Sequence, residues 1–279
     1  MTDRQTVANP FLVTKRRAFT IICTSQQFPL ALFAIGMVGL GILAIVYGDF
    51  ALVWQPVASW VPGRTSLAYA SGLLMLFGGV GLLFRATAAW SIRVLFPYLF
   101  FWLLLKVPAA VVAPTVEAVW LGVGELCVLF AGGWVLFARL ADLRKESIFT
   151  FATGQNGIRI ARVLFAVSLI PIGLSHLVYT KETAALVPGW LPYRNGWAYL
   201  TGAGQIACGV GVMSSICPCV AAVVEAGMLS VFTLLVWIPA VSAAPTTRLP
   251  WTALCISWAI TAGAWVVAGN VSEEVRTTL

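Results

Sequence analysis

Few ionisable side chains fall inside the long apolar stretches of this chain: Arg93, Lys106, Glu125, His176 and Glu225, with the neutral amide Gln205 beside them. On insertion scales a charge at mid-bilayer costs roughly 2.5–3.5 kcal/mol, so each of these residues needs either a partner or a task. His176 precedes Tyr179 by one helical turn, and Arg194 and Tyr199 open the following apolar stretch. Together they form the expected lining of a small polar pocket. The Arg194 fork suits an anion, and a histidine changes charge near neutral pH. A quinone headgroup or a small sulfur oxyanion fits such a set. The plainer reading makes Arg194 and Tyr199 interfacial anchors and has His176 hydrogen-bond a neighbouring helix.

Depth along the apolar stretches suggests two ion pairs, Lys106 with Glu125 and Arg93 with Glu225. They serve either as locks between helices or as handlers of protons or ions. Cys217 and Cys219 form a Cys-Pro-Cys turn. It offers a soft cation two sulfurs, but metal and redox motifs ordinarily come as CxxC or as separated pairs, so the expected metal count is none. Cys23, Cys127, Cys208 and Cys255 stand alone in apolar surroundings and read as small hydrophobes. No P-loop, dinucleotide fingerprint, HExxH or Ser-His-Asp arrangement is present, and a single histidine excludes haem held by two histidines of this chain.

The elements that must carry these side chains follow from composition. The chain of 279 residues is 60% hydrophobic and 10% charged, with a mean hydropathy of +0.94. Soluble domains carry about 25% charged residues, so this sequence belongs in a bilayer. A span needs about 20 apolar residues. Eight stretches qualify: 28–47, 66–84, 89–107, 118–138, 160–179, 197–213, 219–239 and 251–269. The expected class is therefore all-α, a polytopic membrane protein. Placing the N-terminus inside puts twelve Lys and Arg on the inner segments and five (Arg64, Lys106, Lys181, Arg194 and Arg248) on the outer ones. That bias predicts both termini in the cytoplasm of a bacterial-type inner membrane. The net charge of +7 then reads as a topology signal, and nothing in the chain suits nucleic acid.

The eight stretches say the same thing twice. Phe33, Gly41 and Tyr47 recur as Phe165, Gly173 and Tyr179; Gly79 and Gly81 as Gly209 and Gly211; Pro108, Pro114 and Trp120 as Pro239, Pro245 and Trp251. The offset moves only from 132 to 130 to 131. A tandem duplication with an even number of spans per copy predicts two parallel four-helix units, in contrast to inverted repeats. The expected organisation is a basic tail (1–27), a first unit (28–139), a cytoplasmic linker (140–159), a second unit (160–270) and a C-terminal tail (271–279). The polar residues do not share the symmetry: His176 aligns with Ala44, Glu125 with Ile256, Glu225 with Val94 and Lys106 with Trp237. After the first span of each copy comes a long aromatic, proline-bearing connection, expected to rest on the interface or dip back covered by protein, as a partial cap on the outer face.

That connection runs into a motif, W-x-P-x-R followed by A-Y-x-[ST]-G. It is written by Trp60, Pro62, Arg64, Tyr69 and Gly72 in the first copy, and by Trp190, Pro192, Arg194, Tyr199 and Gly202 in the second. The pattern resembles the DoxX-like family of small integral membrane proteins, here as two fused copies. The resemblance implies four-span units, and relatives include a membrane subunit of a thiosulfate:quinone oxidoreductase and proteins of disulfide or methylamine-dehydrogenase maturation. By that analogy the expected function is a membrane component of a quinone- or sulfur-linked redox system, with a membrane or periplasmic redox partner and a quinone as cofactor. A non-enzymatic scaffold or accessory subunit, or a small-molecule transporter, is the alternative.

Overall fold

A computed structural model describes residues 27–141, 150–214 and 216–277, which are helices and short connections without a strand. Residues 1–26 of the expected N-terminal tail, with Cys23, residues 142–149 of the linker and the last two residues of the C-terminal tail lie outside the described residues. The helices are α1 (Gln27–Tyr47), α2 (Arg64–Leu82), α3 (Arg85–Val112), α4 (Glu117–Leu140), α5 (Gly154–Val178), the short α6 (Thr180–Leu186), α7 (Arg194–Ser214), α8 (Pro218–Ala243) and α9 (Arg248–Thr277). Seven are long and apolar enough to cross a membrane. The sequence expects eight. The exception is α7, as long as α1 but diluted by Arg194, Asn195, Thr201, Gln205 and several glycines.

Small residues set the packing, as they must where lipid offers no hydrophobic drive between helices. A Cβ added to Gly41 would meet the Leu76 amide at 2.6 Å and the Gly72 carbonyl at 2.7 Å; one added to Gly173 would meet the Gly202 carbonyl at 2.5 Å and Ile206. Gly79 lies against Ala34, and Gly209 against Ala166. Each α1–α2 contact therefore recurs between α5 and α7 in the register of the repeat. Helix α4 packs on α5 and α9 packs on α1, while α4 and α9 meet each other in the middle. Phe96, stacked on Phe130 and on Phe137 with ring centroids 5.2 and 4.2 Å away, joins α3 to α4.

The Pro239 ring faces the carbonyl one turn back and has no amide hydrogen to offer it. Just before it, helix α8 widens into a π turn, Thr233–Trp237. Thr233 Oγ1 fills the opening by bonding the Leu229 carbonyl at 3.0 Å and the hydroxyls of Ser257 (2.8 Å) and Thr261 (3.0 Å). The extra residue explains the register. Before the turn Leu95 packs on Gly78 as Glu225 faces Cys208, both pairs 130 apart, whereas Pro108 and Pro239 are 131 apart. Glu225 thus stands where the first copy has Leu95, and the sequence alignment of Glu225 with Val94 is corrected by one residue.

Candidate functional site

The connection after α1 dips back into the protein. Gly48 ends the helix at φ +59, and Phe50, Ala51, Trp54 and Gln55 turn down into the core. Buried Gln55 donates from Nε2 to Tyr98 Oη (2.8 Å) and Ser71 Oγ (3.0 Å), while its Oε1 accepts from the Ala51 amide (2.9 Å). Ser71 and Tyr98 are themselves 2.7 Å apart. These polar atoms are mutually satisfied and form a lock.

Above it, Asp49 closes an ion pair with Arg64 and another with Arg248 from α9, the latter at 2.9 Å, and Arg248 also donates to the Phe50 carbonyl at 2.6 Å. Burial pushes the Asp49 carboxyl up, but hydrogen bonds from Arg248, the Phe50 amide and Arg64 outweigh it and hold the group below the usual carboxylate value. The motif residues fall around this knot. Tyr69 packs over Gly48 and Gly72 touches Ala44, while Trp60 and Pro62 remain exposed.

The connection after α5 behaves differently. It forms the short helix α6, then leaves Trp190, Pro192 and Tyr193 exposed. The expected pocket of His176, Arg194 and Tyr199 is not assembled: His176 Nδ1 lies 2.9 Å from Thr201 Oγ1 and the ring packs on Phe232 at 5.7 Å, whereas Arg194 and Tyr199 are exposed. The neighbouring helix satisfies His176.

Neither sequence-suggested ion pair closes. Lys106 Nζ donates instead to the Val53 carbonyl at 2.7 Å and lies against Gly122, interacting with Glu125 only through the field of its charge. The reach of the folded connection wins because a fixed carbonyl within hydrogen-bond distance replaces lost hydration, which a carboxylate one turn further down does not. Arg93 Nε donates to the Ala141 carbonyl at 2.6 Å and its guanidinium stacks 4.8 Å from the Trp90 ring centroid, while Glu225 takes Gln205. Cys217 is exposed at the start of α8 and Cys219 partly buried, with no disulfide between them. No cluster of three metal-ligating side chains occurs among the described residues.

What sequence reasoning missed is Glu117. It is the first residue of α4; the residue is half-buried, its two carboxylate oxygens are shielded from solvent, and neither has a hydrogen-bond partner. It lies in a groove of about 430 Å³ between α4 and α5, lined further by Trp120, Gly124, Cys127, Val167, Ser168 and Pro171. The repeat supplied a signal: 131 residues on, the same register holds Arg248, which is tied to Asp49. One copy is sealed by an ion pair at this point and the other is left open. A groove of about 520 Å³ along α7 is lined by apolar side chains and ends at Ser214 and Cys217, so it offers a ligand no charged headgroup partner.

No curated protein and no solved structure matches the chain. Residues 165–267, running from α5 into α9, are matched by a family described as a domain of unknown function (DUF8561).

Proposed function

We propose that the chain is an eight-span inner-membrane protein built of two parallel four-helix units, DoxX-like in kind, with both termini cytoplasmic. On this reading it is a membrane component of a quinone- or sulfur-linked redox system. Its ligand is a small amphipathic molecule of the quinone and quinol class, entering sideways from the bilayer into the α4–α5 groove. Its apolar part lies along Val123, Leu164, Val167 and Leu174, and its hydroxyl donates to Glu117.

The observation that carries this reading is the partnerless carboxylate of half-buried Glu117 in the groove between α4 and α5. A buried acceptor without a donor costs about 1–3 kcal/mol, which a ligand hydroxyl would recover. The architecture is supported by recurring contacts. Asp49, just past α1, meets Arg248 at the start of α9, and Tyr179, just past α5, accepts from the Ala118 amide near the start of α4 at 3.3 Å. The family match spanning one four-helix copy supports the same division.

The test uses the full chain in nanodiscs with a photoreactive quinone analogue. Labelling should fall on α4 and α5, drop at least about tenfold in Glu117→Gln, where one hydrogen-bonded charge worth roughly 1.5–3 kcal/mol is lost, and vanish when Ser168→Phe fills the groove. Equal labelling of all three proteins would overturn the ligand site. A scaffold without ligand is the second reading, favoured by the closed Gln55–Ser71–Tyr98 lock. A stoichiometric protein partner in native purification, without any extracted quinone, would select it.

A further inference from the structure

A second polar site is buried between α7 and α8, away from the groove. Gln205 and Glu225 are both fully buried, and the Gln205 Nε2 group donates to Glu225 Oε1 across 3.4 Å. The remaining two oxygens, Gln205 Oε1 and Glu225 Oε2, are each buried and without a partner. In the first copy the same places are held by Met75 and Leu95, themselves fully buried. The fold therefore packs this site well with hydrocarbon, and the second copy has put an acid and an amide there instead.

The bonding deficit has a definite shape: one amide oxygen and one carboxylate oxygen of a hydrogen-bonded pair of side chains are left over, and the donor beside them is the thiol of Cys208, a weak one. One proton on Glu225 Oε2, directed at Gln205 Oε1, satisfies both atoms and closes a cyclic acid–amide pair in which each side chain donates once and accepts once. It also removes a charge from the membrane interior, where no cation stands to balance it. The thiol of Cys208 on α7 faces Glu225; from α9, Trp265 Nε1 donates to Ser230 of α8 at 3.0 Å; and His176 lies against Phe232. No Lys, Arg or His forms an ion pair with Glu225 among the described residues. A hard cation such as Ca²⁺ or Mg²⁺ would need about six oxygens, and the site has two free ones with one thiol.

We propose that Gln205 and Glu225 form a proton-binding site inside the membrane domain, occupied at neutral pH as a neutral acid–amide pair that holds α7 against α8. Losing the proton leaves a carboxylate facing an amide oxygen and forces the two helices apart or admits water. The site is a proton-responsive joint of the second copy, and it is independent of the Glu117 groove.

Infrared spectroscopy of the protein in lipid tests it. At neutral pH the spectrum should contain a protonated carboxylic-acid carbonyl band that shifts in D₂O and is absent from Glu225→Gln but retained in Glu117→Gln and Glu125→Gln. Gln205→Leu should keep the band and move it to higher frequency, as expected when a hydrogen bond to the acid is removed. Should Glu225→Gln fold poorly, the double variant Gln205→Met with Glu225→Leu, which copies the first unit, should fold and lack the band. Raising pH should loosen the parent, seen as faster hydrogen exchange in α7 and α8, and leave the double variant unchanged. A spectrum identical in parent and double variant, or a carboxylate band at this residue that responds to added sodium, potassium or calcium, would overturn the proposal.

Discussion

Gly132 on α4 stands against Gly263 on α9, so closely that a Cβ on Gly132 would fall on the Gly263 backbone. The two residues occupy the same place in the repeat, 131 positions apart. Two glycines at equivalent positions of the sequence repeat therefore meet where α4 crosses α9. Gly132→Leu should lower stability by about 1–3 kcal/mol or more through overpacking of the helix crossing. Thermal unfolding in detergent checks this, and an unchanged midpoint would mean the crossing is not tight.

Asp49 links the connection after α1 to α9, and its dependence on pH has a definite sign. Its carboxyl is held below the reference value of 3.8, so the stabilisation is complete above that value and fades as pH falls below it toward the lower folded value. All three partners are partly exposed, which limits each pair to about 1 kcal/mol or less. Asp49→Asn should lower the melting temperature near neutral pH and erase the difference from the parent in acid. A difference that grows on acidification would contradict the assignment.

Val53 sits at φ +66, a conformation that β-branched residues avoid, and Lys106 grips its carbonyl. Such strain costs on the order of 1–3 kcal/mol. Val53→Gly should therefore raise stability, by about 1 kcal/mol after the extra backbone entropy of glycine is subtracted. Lys106→Met should lower it, because the Val53 carbonyl then loses its donor. Chemical denaturation of the two variants side by side separates these opposite signs.

The all-helical class and seven of the eight expected membrane-length stretches were legible in the amino-acid order, because apolar length is a property of single segments. Gly41, Gly72, Gly173 and Gly202 could be read as close-packing positions before any helix was placed. Which charges meet was not legible. Lys106 and Glu125 share a depth, yet Lys106 goes to a carbonyl of a connection that folds inward. Arg93 and Glu225 share one too, yet each finds a partner on an adjacent helix. Depth along a helix is one coordinate, and pairing also needs rotation about the axis and the path of the loops, which the tertiary structure alone fixes. The same reason hid Glu117: its exceptional state is the absence of a donor, and a missing neighbour is a property of three-dimensional packing.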